Sequence, residues 1–168
     1  MKRAKVFVLI LFFSCHLLGQ KADSSVAKNI VFIEALGVGG YGSINYERIV
    51  PTKTQVNFGI RAGLSVMRIR DFNYKFNPDI VIPFAVNFIY GTKHRAEIGI
   101  GQSFTNMVQA NAESGEAERN TSFHATASIG YRYQKQTGGL YIRVVYSPIY
   151  ENYNRLRHWG GLSLGFAF

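Results

Sequence analysis

Beyond its first twenty residues this chain has no helical period, no long apolar run and no cysteine. Each absence excludes something. Without apolar residues at three- and four-residue spacing there is no amphipathic helix to pack, so helical bundles and α/β folds drop out. Polar residues or glycines interrupt every later apolar stretch, which excludes a helical membrane span. Without cysteine a processed chain has no disulfide and no thiol chemistry. His94, His124 and His158 fall on separate segments, none with zinc-ligand spacing, so neither a metal nor another cofactor is expected. Carboxylates are scarce as well, ten against nineteen Lys and Arg. Such a basic excess suits an anionic surface, nucleic acid or lipid phosphate.

The first twenty residues, "MKRAKVFVLILFFSCHLLGQ", start basic (Lys2, Arg3, Lys5), run apolar from Val6 to Phe13 and reach a cleavable Gly19-Gln20. This is the pattern of a secretory signal peptide, and it is short for a spanning helix. Lipidation at Cys15 is the rival, against which Phe12 stands where a lipobox carries Leu. Cleavage removes the sole cysteine and three bases, lowering the formal charge of +9 by three. Export argues against a nucleic-acid partner. Residues 21–29 are then expected as a short N-terminal segment, and 30–168 as the folded domain.

In that domain the period is two, and turn chemistry breaks it at nearly regular intervals. The spacing predicts strands over Ile30–Leu36, Tyr41–Val50, Gln55–Ile69, Ile80–Tyr90, Arg95–Val108, Ser122–Tyr133, Leu140–Tyr150 and His158–Phe168. The breaks "PTKT", "GTKH" and "QKQTGG" are turn-like, whereas "DFNYKFNPD", "NAESGEAERNT" and "ENYNRLR" are longer and polar; only the compact "GVGG" departs from the alternation. Tight turns on one side, longer loops on the other and an even strand count predict an all-β, antiparallel up-and-down barrel.

Size decides which face is inside. The third strand sets Val56, Phe58, Ile60, Ala62, Leu64 and Val66 against Asn57, Gly59, Arg61, Gly63 and Ser65. Eight strands enclose a bore that small side chains just fill, so the bulky face points outward, which only lipid tolerates. A secreted, lipocalin-like barrel with the faces reversed is the alternative. Tyr90, Tyr131, Tyr133 and Phe168 fall near the short-turn rim, and Phe104, Phe123, Tyr146 and Trp159 near the long-loop rim, where amphipathic rings favour an interface. Pro83 and Pro148 each remove a ladder donor and predict bulges. Gln102 sits in an outward position that a phase reset would explain.

A signal peptide, no mature cysteine, eight alternating strands, the segment "EALGVGGYGSINYERIV" and a terminal Phe168 together resemble the small outer-membrane β-barrel proteins of Gram-negative bacteria. The likeness is to the OmpA/OmpX-like barrels and to uncharacterised members from the Bacteroidetes. The resemblance implies a bacterial outer-membrane location with the N-terminus periplasmic. It also implies insertion by the barrel-assembly machinery, with Phe168 as the signal that machinery reads.

The inward phase collects Glu34, Glu47, Arg61, Glu97, Arg132 and Arg143, a set that suits a polar plug or, alternatively, a gated narrow pore. "HATAS" at His124–Ser128 is faintly similar to the His-x-Ser signature of outer-membrane lipid A deacylases. In that family the pair faces lipid; here His124 falls in the inward phase and Thr126 stands where Ser is expected. No catalytic residue is therefore assigned. Arg68, Arg70, Lys75, Arg155 and Arg157 form a candidate basic rim for lipopolysaccharide phosphates, which guanidinium forks match. The expectation is a monomeric, non-enzymatic envelope or surface-interaction protein whose partners are outer-membrane lipids and lipopolysaccharide.

Overall fold

The structure, a computed structural model, describes residues 26–71, 73–111, 117–151 and 155–168, without the side chains of 151 and 155. The expected signal peptide and Cys15 lie outside them. Eight strands follow one another: β1 (Asn29–Ala35), β2 (Gly42–Val50), β3 (Val56–Val66), β4 (Ile80–Gly91), β5 (His94–Ala110), β6 (Ala117–Gln134), β7 (Gly139–Glu151) and β8 (Arg155–Ala167). Each pairs antiparallel with the next, and β1 pairs with β8, closing the barrel. Closure runs through Ile30↔Ala167, Phe32↔Gly165 and Glu34↔Ser163. Below it, Asn29 and Phe168 exchange backbone hydrogen bonds of 2.9 and 2.8 Å. Neither strand is left with a bare edge.

The bulky face does point outward. Ile33, Ile44, Ile60, Leu64, Ile98, Ile100, Leu162 and Phe166 are all exposed, Ile44 at 64%. A contiguous apolar belt of this kind is a liability in water and a requirement in lipid. The reversed, lipocalin-like arrangement is not that of this chain. On the inner face glycine makes room: a methyl at Gly59 would overlap Glu47 Oε1, and one at Gly165 would strike Val31 O and the Phe32 side chain.

Five expectations need correction. Parts of the segments "NAESGEAERNT" and "ENYNRLR" are strand: Ala117–Thr121 belong to β6, Glu151 to β7 and Arg155–Arg157 to β8, with β5 and β6 paired up to Ala110↔Ala117 and β7 and β8 up to Glu151↔Arg155. Above the lipid no hydrophobic face need alternate, so composition alone did not reveal these extensions. β3 stops at Val66 rather than Ile69. Beyond it, residues 67–79 continue as an irregular hairpin, held by Met67 N–H to Asp79 O (3.1 Å), Asp79 N–H to Arg68 O (2.8 Å) and the bridge Arg70↔Phe76.

The prolines do not create bulges. Pairing lapses at Gly63/Pro83 and Leu64/Ile82, and at Ala127/Pro148 and Ser128/Ser147, yet resumes in unchanged register on either side. In an antiparallel ladder a residue directs both its polar backbone groups to one neighbour. Each proline's missing N–H faces only the strand before it, and Pro83↔Ser103 and Pro148↔His158 remain paired. Gln102 is simply exposed on the outer face between Phe84 and Ala125, with no phase reset. Trp159 does lie toward the long loops, but in the inward phase of β8 and lining the bore rather than facing the membrane interface.

Candidate functional site: a layered lumen

Three layers fill the bore. At its centre the six charged side chains form one continuous chain of alternating sign. Arg61 Nη2 lies 2.6 Å from Glu34 Oε1, and Glu34 Oε2 lies 2.7 Å from Arg143 Nη1. Arg143 Nη2 is 2.8 Å from Glu97 Oε1, and Glu97 Oε2 is 2.5 Å from Arg132 Nη2. The same Arg132 nitrogen reaches Glu47 Oε2 at 2.7 Å. Period two places each of these residues inward, and the barrel brings together β1, β2, β3, β5, β6 and β7 at one height. None exposes more than 2% of its surface. Neutral donors and acceptors join the set: Arg61 Nε donates to Asn45 Oδ1 (3.0 Å), Asn87 Nδ2 to Glu47 Oε1 (2.6 Å) and Ser163 Oγ to Glu34 Oε2 (3.2 Å). Ions so far from water persist because each is paired and hydrogen-bonded.

Toward the short turns the filling is apolar. Ile30, Phe32, Ile49, Ile89 and Tyr141, with Ala27 and Ala167, form a buried cluster. Phe32 and Tyr141 meet with ring centres 5.0 Å apart, and the guanidiniums of Arg61 and Arg132 lie 5.2 and 5.1 Å from those same two rings. The charged layer thus rests on an aromatic floor through cation–π contacts. Residues 26–28 brace that end: Ala27 N–H donates to Gln136 O and Lys28 O accepts from Ile49 N–H, both at 2.7 Å. Asn29, assigned above to the segment before the domain, is the first residue of β1. The inward phase of β1 carries Ile30 and Phe32 beside Glu34, so this floor was readable, but attention to polar residues passed it over.

Toward the loops the bore opens into a vestibule of about 520 Å³, lined among others by Met67, Met107, Ser103, Thr105, His124 and Trp159. Here Thr105 Oγ1 and His124 Nε2 share a hydrogen bond of 3.1 Å. His124 thus faces the lumen and engages threonine rather than Ser128. Among the described residues no three His, Cys, Asp or Glu side chains come together as a metal site.

The residues of the expected basic rim are dispersed. Arg68 Nε is bonded to the buried Asp79 Oδ2 at 2.8 Å, and Asp79 Oδ1 accepts from Val108 N–H at 2.7 Å. Arg68 therefore straps the 67–79 hairpin to β5. Arg119, on β6, adds a second strap by donating to Asn77 Oδ1, Asn106 Oδ1 and Pro78 O. Arg70 and Lys75 are exposed on the same hairpin. Arg157 lines the vestibule from β8, four strands round the barrel from β4. The Arg155 side chain lies outside the described residues. Neither strap was found from sequence, since nothing local marks Asp79 or Arg119 as partners of distant strands.

No protein-family model matches the sequence, and none of the curated proteins matches it. Among solved structures, the fold is similar to the N-terminal β-barrel domain of Pseudomonas aeruginosa OprF. That match has a TM-score of 0.55 and 16% identity over 84% of this chain and 99% of that one. It is also similar to the Yersinia pestis outer membrane protein Ail, with a TM-score of 0.51 and 8% identity over 84% and 99% of the two chains. At such identities the likeness is one of fold. With the apolar belt and the closed eight-stranded wall, it defines the chain as a small β-barrel of the outer-membrane type.

Proposed function

We propose that this protein is a non-enzymatic outer-membrane barrel with a structural envelope or surface-interaction role. Its N-terminus and short turns lie in the periplasm and its loop end lies outside. The observation that carries this reading is the unbroken Arg61–Glu34–Arg143–Glu97–Arg132–Glu47 chain seated on the Phe32–Tyr141 floor. A bore filled this way is a rigid mount rather than a conduit. The β5–β6 and β7–β8 extensions and the strapped 67–79 hairpin are what it displays.

Planar-bilayer recording of the purified barrel tests the reading. A silent bilayer is expected, and discrete conductance that responds to Arg61→Gln or Arg143→Gln would establish a pore instead. Lipid A from the host membrane should keep its acyl pattern whether or not His124 is present; a change that His124→Ala abolishes would restore the enzyme.

Two partner assignments belong to the same proposal. Phe168, exposed beside Asn29 at the seam, serves as the assembly signal, so Phe168→Ala should lower the amount of heat-modifiable barrel in the membrane. Arg70 and Lys75 offer the loop-end contact for lipopolysaccharide phosphates, with Arg68 half-committed to Asp79 and Arg155 and Arg157 across the mouth. Loss of Arg70 and Lys75 with unchanged lipopolysaccharide association would remove that contact.

A further inference from the structure

Positive charge is not spread evenly over this barrel. At the short-turn end stand Lys28, Arg48, Lys53, Lys93, Arg95 and Lys135, and no acidic side chain among the described residues shares that end. In mid-lumen, acids and bases balance. At the loop end Arg68, Arg70, Lys75 and Arg119 are interspersed with Asp71, Asp79 and Glu118. The charged side chains of the short-turn end therefore form a ring of one sign. Arg95 alone of the ring is buried, donating to Thr92 O (2.6 Å) and Gln134 Oε1 (3.3 Å); the others are exposed.

Aromatic and amide groups hold this ring at the edge of the apolar belt. Tyr46 OH and Arg48 Nη1 both donate to Asn29 Oδ1. The Lys93 ammonium lies 5.4 Å from the centre of the Tyr133 ring. His94 Nδ1 shares a 2.5 Å hydrogen bond with Tyr131 OH, and its ring meets Tyr133 edge-on at 5.5 Å. Tyrosines at one level mark where hydrocarbon gives way to headgroups. Like charges set around one rim repel one another unless counter-anions lie against them. Phosphate is the anion found there, and a headgroup of net negative charge satisfies the ring better than a zwitterionic one.

We propose that the short-turn rim, around Arg48, Lys93 and Lys135, is a binding site for anionic phospholipid headgroups. The leaflet is the inner one, an assignment that rests on the orientation proposed above. The protein would thereby gather negatively charged phospholipid around its periplasmic edge, while its loop end faces a different chemistry.

The test reconstitutes the purified barrel in vesicles of phosphatidylethanolamine containing a minor share of phosphatidylglycerol, then measures which lipid stays with it through detergent extraction. Enrichment of phosphatidylglycerol over its share in the vesicle is expected. Arg48→Gln with Lys93→Gln should weaken it roughly fivefold for each charge removed. Thr92→Ala with Gln136→Ala, exposed and uncharged neighbours in the same turns, should leave it unchanged. All these exposed variants should keep a heat-modifiable mobility in SDS. No enrichment, or equal loss in both double variants, would overturn the site. Orientation is read separately. Cys15 is the only natural cysteine, so Lys53→Cys should resist a membrane-impermeant maleimide on intact cells. Labelling would overturn the leaflet assignment and the proposed orientation, while the vesicle result would still decide the headgroup preference.

Discussion

Below the charged chain the lumen is packed with Ile30, Phe32, Ile49, Ile89 and Tyr141, whereas above it the same eight strands enclose a vestibule with Ser103, Thr105 and His124 on its wall. Outside, the order of charge is also unequal: basic alone at the packed end, mixed at the open end. The wall does not set this difference, since every strand obeys the same in-and-out alternation. What differs is the size of the inward residues at each height. The packed half supplies rigidity, and the open half is free to vary without unsettling the barrel.

The sharpest way to break this contrast is through the layer between the halves. Glu97→Leu leaves Arg132 and Arg143 each short of a partner and should cost about 3–5 kcal/mol of stability, read by urea unfolding from lipid vesicles. Phe32→Ala empties the floor beneath Arg61 and should cost about 3 kcal/mol in the same assay. Asp79→Asn loosens the strap between the 67–79 hairpin and β5. Its effect on the whole barrel should be about 1–2 kcal/mol, with faster protease nicking confined to that hairpin. Thr105→Ala in the vestibule should stay within about 0.5 kcal/mol. A vestibule substitution as costly as Phe32→Ala would show that the two halves are not distinct.

Much of the barrel was legible in the sequence. Alternation from Val56 to Val66 assigned every side chain of β3 to its face, and the small size of Gly59 and Gly63 said which face was inner. Heights were less legible. A period of two separates inside from outside but does not say that Glu34, Glu97 and Arg143, from three different strands, share one level. Polar tips such as Ala117–Thr121 carried no amphipathic signal, because strand above the lipid need not hide a face. Pro83 and Pro148 misled for a similar reason: a lost donor is local to one neighbour, and the register beyond it is held by all the other rungs.

By itself, then, the sequence determined the fold class, the sidedness of each strand and the chemistry available to the lumen, because these follow from local period and side-chain volume. Only the tertiary structure decided which acid meets which base, where the apolar floor lies, and that the basic residues of distant short turns form one ring. Those are matters of register and closure. They depend on how eight strands are staggered against one another, which no single strand encodes.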